Sequence, residues 1–240
     1  MIRGDLRAPL RLKDRPAPAH QALRVSVCLL AALSLASFGT LSAPLLPPAI
    51  FAAIALVVAH CTLTYYPHGE FGLCNAITLI RAAIVAFLIG ALFDPAFSVW
   101  LFFELSVVAF ALDAVDGWLA RRSGLASGFG ARFDMETDSG LAAVLAVWIL
   151  MKGTAGPEVL VLGFARYWFL AAMAALPALR ADLPPSFRRK AVCVFQIGTL
   201  IALILPVTPP SVALPAAMIA AMLVIWSFVI DIVWLLRRGA

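Results

Sequence analysis

Charged side chains are scarce in this chain. Only 13% of its 240 residues are Asp, Glu, Lys or Arg, whereas 63% are hydrophobic, and soluble domains usually carry about 25% charged residues. This shortage excludes an ordinary soluble domain and predicts a protein that crosses a membrane several times. The net charge of +5 does not indicate nucleic-acid binding, because an excess of Lys and Arg in a membrane protein normally lies in cytoplasmic loops.

Cysteine and histidine are also few and scattered. The 4 cysteines lie in apolar segments without the spacing of a zinc site or of a disulfide framework, and the 3 histidines form no cluster. We interpret the cysteines as small apolar core residues. These absences exclude a disulfide-stapled secreted fold and a metal site built from soft ligands.

Eight apolar runs follow one another along the chain, and each is close to the ~20 residues that a helix needs to cross a bilayer. The runs lie at about 25–43, 49–66, 76–93, 97–120, 133–152, 157–177, 191–206 and 212–236. The sequence therefore predicts an all-α fold, a polytopic transmembrane helical bundle with eight spans.

Lys and Arg are concentrated in alternate connecting segments. Nearly all of them lie in residues 1–24, in the loops 121–132 and 178–190 and at the C-terminus, whereas loops 44–48, 94–96 and 207–211 hold none. With eight spans, all basic segments fall on one side, which the positive-inside rule identifies as the cytoplasm. We expect a disordered cytoplasmic tail at the N-terminus, and a bacterial-type inner membrane with both termini and the site in the cytoplasm.

A pattern of acids, small residues and one arginine occupies the middle of the chain. It reads D-x2-D-G-x2-A-R-x8-G-x3-D-x3-D. At about 100° per residue, its first part lies on one face of a helix and its last three positions form a stripe on the next helix. The two carboxylate stripes are predicted to face each other. The positions are Asp113, Asp116, Gly117, Ala120, Arg121, Gly130, Asp134 and Asp138.

Four carboxylates cannot share one gap unless cations neutralise them. Ligands that are all oxygen favour Mg²⁺ or Mn²⁺ over zinc, and a two-metal site stabilises phosphoryl transfer. Small residues let a ligand come close, an arginine pairs with phosphate, and a remaining carboxylate is a candidate general base. The alternative is that the acids cap helix ends or pair with neighbouring arginines, which explains one or two of them.

This pattern resembles the signature of the CDP-alcohol phosphotransferase family, and the resemblance covers about residues 70–237. It implies a catalytic six-helix core at 70–240, two additional N-terminal transmembrane helices at 25–69 and a basic tail at 1–24. It also implies a CDP-alcohol donor, a hydroxyl acceptor, release of CMP and a homodimer.

The resemblance implies a role for each signature position. Asp113, Asp116 and Asp134 would hold a pair of divalent cations, and Asp138 would be the general base, also close to a metal. A CMP site, with the arginine on the pyrophosphate, would be lined by Gly117, Ala120, Arg121 and Gly130.

Outside the signature the resemblance is softer. Asn75–Arg81 is similar to the N-x-[LI]-T-x-x-R opening of the family core, which would place Thr78 near the nucleotide phosphates and let Arg81 brace the site. A capped helix start with a snorkelling arginine explains the same residues equally well. Candidate acceptor-binding residues are Arg166, Lys190 and Arg132, and Arg166 has the alternative of pairing with Glu104 or Asp231.

CDP-diacylglycerol is the donor we expect, although another CDP-alcohol stays open. The acceptor stays open among glycerol phosphate, an inositol phosphate, serine and other small alcohols. Two hypotheses of other classes also remain: a cation transporter that uses the buried acids, and a catalytically silent membrane scaffold. Transport needs no nucleotide cradle, and an intact Asp138 argues against a silent scaffold.

Overall fold

Eight α-helices form the part of the chain that the structure describes, and no strand occurs there. The structure, a computed structural model, describes residues 16–176, 179, 181, 183–184, 186–205 and 207–239. The predicted all-α class and the number of helices are confirmed for these residues. The helices are α1 Pro16–Thr40, α2 Leu46–Tyr65, α3 Gly72–Ala91, α4 Val99–Ser123, α5 Gly128–Lys152, α6 Val159–Ala175, α7 Phe187–Ile204 and α8 Pro210–Gly239.

Within the described residues, four helices are long and apolar enough to cross a membrane by themselves: Pro18–Thr40, Leu46–Tyr65, Gly72–Ala91 and Ser211–Arg237. Helix α6 is apolar but shorter. Helices α4, α5 and α7 carry more acids and bases, such as Asp113 and Asp116 in α4. The chain is thus a polytopic helical membrane protein, and membrane crossing by the other four helices stays a prediction.

Helix α1 begins inside the segment that we assigned to the disordered tail. It starts at Pro16 rather than near residue 25, so the prediction of disorder is wrong for residues 16–24. Proline fits the first turn of a helix, where its missing N–H would have no helical partner. The buried Ala19, Ala22 and Ser26 share one helix face, so this segment packs against the protein although many of its residues are polar. The rest of the tail, residues 1–15, lies outside the described residues.

The chain divides into two compact units. Unit 1 comprises the residues up to Pro95 together with Val108–Thr137, and unit 2 comprises Ala96–Val107 together with the residues from Asp138 onward. Helices α4 and α5 therefore contribute residues to both units.

Helix α3 lies at the centre of unit 1, where α1, α2 and α3 pack against one another. Of its most apolar stretch, 61% is buried, against 22% for α1 and for α2. Leu79 and Leu88 are fully enclosed. Gly90 permits close packing, because a Cβ there would lie 2.4 Å from Pro47 Cγ. The central helix of this unit is thus also the helix that carries Thr78 and Arg81.

Unit 2 contains the first part of α4, the rest of α5 and helices α6–α8. Phe102 and Trp148 stack with their ring centroids 3.9 Å apart. Helices α7 and α8 are joined by an ion pair, in which Asp231 Oδ1 lies 2.5 Å from Arg188 Nη2 and 3.2 Å from Arg189 Nη1. Asp231 thus has two arginine partners on α7, which the sequence analysis did not predict.

The connection between α4 and α5 is much shorter than the basic loop predicted at 121–132. Helix α4 continues to Ser123 and α5 begins at Gly128. Gly124 has a φ of +72°, the left-handed conformation in which glycine commonly follows a helix end. Ser127 Oγ then accepts a hydrogen bond from Gly130 N at 3.0 Å, as an N-cap residue does. Arg121 and Arg132 are therefore helical residues.

Candidate metal and nucleotide site

Arg81 lies at the centre of three carboxylates in unit 1. Its Nη1 is 3.2 Å from Asp113 Oδ1, 2.8 Å from Asp116 Oδ2 and 2.5 Å from Asp134 Oδ1. Its Nε donates to Ala109 O at 3.1 Å. The side chain is 1% exposed, so the interpretation of Arg81 as a snorkelling residue is wrong. One guanidinium from α3 thus holds acids from α4 and α5 together.

Asp116 is the most enclosed of the three acids. Its side chain is 4% exposed, whereas those of Asp113 and Asp134 are 30% and 37% exposed. Thr78 Oγ1 donates to Asp116 Oδ2 at 3.0 Å. Thr78 is therefore a hydrogen-bond partner of the buried carboxylate. The two more exposed acids keep oxygen atoms accessible.

The cluster fits a divalent cation in both geometry and charge. Asp113, Asp116 and Asp134 each offer a carboxylate oxygen, and these atoms lie within 4.8 Å of one another. Three ionised carboxylates and one guanidinium carry two net negative charges on groups that are only partly buried, which favours binding of a divalent cation. The donors are all hard oxygen atoms, which Mg²⁺ and Mn²⁺ prefer.

Two signature glycines lie where other groups come close to the backbone. A Cβ on Gly117 would be 3.3 Å from Arg121 Nη1, so the guanidinium folds back along α4. A Cβ on Gly130 would be 3.2 Å from Asn75 Oδ1 and 3.3 Å from Ser127 Oγ. Asn75 does not cap α3, because the N-cap is Phe71, without a side-chain cap bond. The capped-start interpretation of Asn75 is therefore wrong.

The remaining candidates are divided between the two units. Asp138 is half-buried and follows Asp134 by one turn on α5, but it belongs to unit 2. Arg166 in α6 and Lys190 in α7 also belong to unit 2. Ala120 and the exposed Arg132 lie in unit 1. The roles given to these residues stay predictions.

From the sequence, Arg81 is assigned only a bracing role, and Asn75 is not predicted as a site residue. A usable signal existed, since an arginine three residues after Thr78 shares a face with it on an otherwise apolar helix. Periodicity alone does not show that this face meets the acids of α4 and α5.

Fold and site together define a polytopic helical membrane protein with an acidic, cation-compatible cluster built on three helices. The sequence profile of CDP-alcohol phosphatidyltransferases matches residues 71–233. Because this match covers most of the chain, the protein belongs to the CDP-alcohol phosphatidyltransferase family.

One curated protein shows a local similarity. The chain is 48% identical over 63 residues to CDP-diacylglycerol–inositol 3-phosphatidyltransferase 1 of Arabidopsis thaliana. The aligned part covers 26% of this chain and 26% of that protein, so the chain spans about a quarter of the relative that it matches. No solved structure matches the chain.

Proposed function

We propose that this protein transfers a substituted phosphate from a CDP-alcohol to a hydroxyl acceptor and releases CMP. One observation carries the proposal: three signature acids from α4 and α5 converge within 4.8 Å, around a buried arginine of α3. Family membership supports the same reaction class. The product would be a phospholipid if the donor carries diacylglycerol.

Asp113, Asp116 and Asp134 would hold divalent cations, Mg²⁺ or Mn²⁺. When bound, such ions neutralise pyrophosphate oxygens and stabilise the charge that develops during phosphoryl transfer. Arg81 keeps the three carboxylates gathered, and Thr78 orients Asp116 by a 3.0 Å hydrogen bond. Arg121, which folds over Gly117, would pair with a phosphate of the donor.

Asp138 would act as the general base. It accepts the proton of the acceptor hydroxyl while that oxygen forms a bond to the phosphorus that bears the donor alcohol. The bond from this phosphorus to the bridging oxygen of CMP breaks, and CMP leaves with the electron pair. The four-residue spacing of Asp134 and Asp138 on the continuous helix α5 supports this division of roles.

The donor we propose is CDP-diacylglycerol, which the name of the Arabidopsis relative supports. The acceptor is a small hydroxyl compound, and Arg166, Lys190 and Arg132 are candidates for binding it if it is anionic. The direct test reconstitutes the purified protein in liposomes with CDP-diacylglycerol and Mg²⁺ or Mn²⁺. Inositol, inositol phosphate, glycerol phosphate and serine are then offered one at a time, and CMP is measured. Cation flux without CMP formation would favour a transporter instead.

We expect Asp138→Asn to lower kcat by about 10²–10⁴-fold, because it removes a general base. Binding of CMP should persist. Single-turnover CMP release and calorimetric CMP binding measure the two effects. Glu136→Gln is the matched control, since it removes an exposed carboxylate from the same helix and should keep full activity. An Asp138→Asn variant with normal kcat would contradict the assignment.

We expect Gly130→Ala to raise the KM for the CDP-alcohol about tenfold, since overpacking at a tight contact costs on the order of 1–3 kcal/mol. The new methyl would press on Asn75 Oδ1 and Ser127 Oγ. Gly128→Ala lies in the same first turn of α5, where a Cβ meets nothing within 4 Å. Steady-state kinetics of both variants should show the rise in KM only for Gly130→Ala.

Membrane orientation and assembly are part of the same proposal. The alternation of basic segments supports cytoplasmic termini and a cytoplasmic site in a bacterial-type inner membrane. The family resemblance supports a homodimer. Labelling of single cysteines introduced beside the basic and the uncharged loops would test the orientation.

A further inference from the structure

The segment between α2 and α3 packs against the start of α5. The Tyr66 ring lies edge-on to Phe129, with centroids 5.5 Å apart, and to His68, with centroids 5.3 Å apart. His68 Nε2 lies 3.3 Å from Ala126 O. This segment therefore contacts the short connection between the two helices that carry the acids. All of these residues belong to unit 1.

Tyr66 is buried in a network of hydrogen bonds. Its hydroxyl donates to Phe71 O at 3.2 Å and accepts from Asn75 Nδ2 at 3.0 Å. Asn75 Nδ2 also donates to Phe71 O at 2.5 Å. From α1, Gln21 Oε1 accepts from Phe71 N at 2.9 Å. Tyr66, Phe71 and Asn75 are 2%, 1% and 3% exposed, so water does not replace the hydrogen bonds that these three residues make with one another.

This network decides which end of the Asn75 amide faces the site. The two ends of an asparagine amide are distinguished by their partners, and here Tyr66 and Phe71 bind the nitrogen. The oxygen Oδ1 is left facing the first turn of α5, 3.2 Å from the position of a Cβ on Gly130. Gly130 is one of the signature positions for which the nucleotide role is proposed.

We propose that Tyr66 is a positioning residue: through Asn75 it fixes an amide oxygen at the Gly130 backbone and thereby shapes the nucleotide end of the donor site. This inference rests on the proposed function. Tyr66 and Gln21 both lie outside residues 71–233, which match the family. The helices that precede the family core therefore help to define the geometry of its site.

The chemistry of the hydroxyl suits this role. Burial raises the pKa of Tyr66 to about 12, so the group keeps its proton at ordinary assay pH. A protonated hydroxyl donates to Phe71 O and accepts from Asn75 at the same time. Phenylalanine keeps the ring but removes both bonds.

We expect Tyr66→Phe, which removes both hydrogen bonds of the hydroxyl, to raise the KM for the CDP-alcohol and the Kd for CMP about fivefold, an effect within the usual range for lost buried hydrogen bonds. The kcat and the KM for the acceptor should stay within twofold. Tyr65→Phe is the matched control, because it removes the hydroxyl of the adjacent tyrosine, which is 62% exposed. It should leave the KM for the CDP-alcohol and the Kd for CMP unchanged. Steady-state kinetics and calorimetric CMP titration measure these quantities.

A double-mutant cycle separates positioning from general stabilisation. If Tyr66 acts through Asn75, adding Tyr66→Phe to Asn75→Ala should not raise the Kd for CMP further. An unchanged Kd in Tyr66→Phe, or additive effects in the double variant, would overturn the proposal. If Tyr66→Phe does not fold, Gln21→Ala replaces it in the cycle. Its raised Kd should be restored by Gln21→Glu, which keeps the acceptor oxygen for Phe71 N, and a Kd unchanged in Gln21→Ala would equally overturn the proposal.

The two proposals fail in different ways. If the unmodified protein neither binds CMP nor releases it from any CDP-alcohol, the proposed function fails and the role of Tyr66 falls with it. If the unmodified protein is active and Tyr66→Phe matches it in KM and Kd, only the positioning role is lost.

Discussion

Replacing Asp116 with alanine is expected to abolish divalent-dependent binding of the CDP-alcohol. Asp116 is the most buried acid of the cluster and bonds both Arg81 and Thr78. Removing one partner of a buried ion pair costs about 3–5 kcal/mol, and a loss of that size in binding corresponds to roughly two to four orders of magnitude in affinity. Mn²⁺ binding, followed by electron paramagnetic resonance of the free ion, should be lost together with CMP formation.

The control for this experiment is Asp94→Ala. Asp94 lies in the connection between α3 and α4, in the same unit, and its Oδ2 accepts from Ser42 N at 3.0 Å. This variant also removes one carboxylate, but away from the cluster, and should bind Mn²⁺ normally. Retained Mn²⁺ and CDP-alcohol binding in Asp116→Ala would show that the three acids do not form the metal site.

Replacing Arg81 with methionine is expected to destabilise the folded protein by about 3–5 kcal/mol. The substitution keeps a long side chain but leaves three carboxylates without their shared guanidinium. Thermal unfolding of the detergent-purified protein measures the loss. Mg²⁺ should then raise the unfolding midpoint of the variant more than that of the unmodified protein, because the ion replaces the missing positive charge.

Two further substitutions serve as controls for the unfolding midpoint of Arg81→Met. Arg132→Met removes an exposed arginine of the same unit and should leave the unfolding midpoint unchanged. Arg81→Lys keeps the charge but loses the planar guanidinium that reaches both the acids and Ala109 O. Its unfolding midpoint should therefore lie between those of Arg81→Met and the unmodified protein. An Arg81→Met protein as stable as the unmodified one, with no added response to Mg²⁺, would contradict the role of Arg81.

The acids of the cluster were predictable from the sequence because they lie close to one another along the chain. Asp113 and Asp116 share a helix face by spacing alone, and the next helix follows after a short turn. The turn itself was also readable, since Gly124 and Ser127 are typical end and start residues of helices. The predicted loop 121–132 is too long because its arginines belong to the helix ends, and arginine is a good helix former.

Arg81 and Tyr66 were not predictable in the same way. Arg81 contacts acids that follow it by more than thirty residues, and this depends on how α3 packs in unit 1. Tyr66 owes its role to hydrogen bonds and ring contacts rather than to any period. The adjacent Tyr65, identical in type, is exposed, so residue type alone does not distinguish the two.

The arginine at the centre of the acidic cluster has a consequence for the protein in a living cell. Its guanidinium is a counter-ion that belongs to the chain and is present from synthesis onward. The polypeptide should therefore mature and accumulate even when divalent cations are scarce. If the cluster holds the catalytic cations as proposed, shortage of metal would limit turnover but not abundance, and CMP release would resume on resupply without new translation.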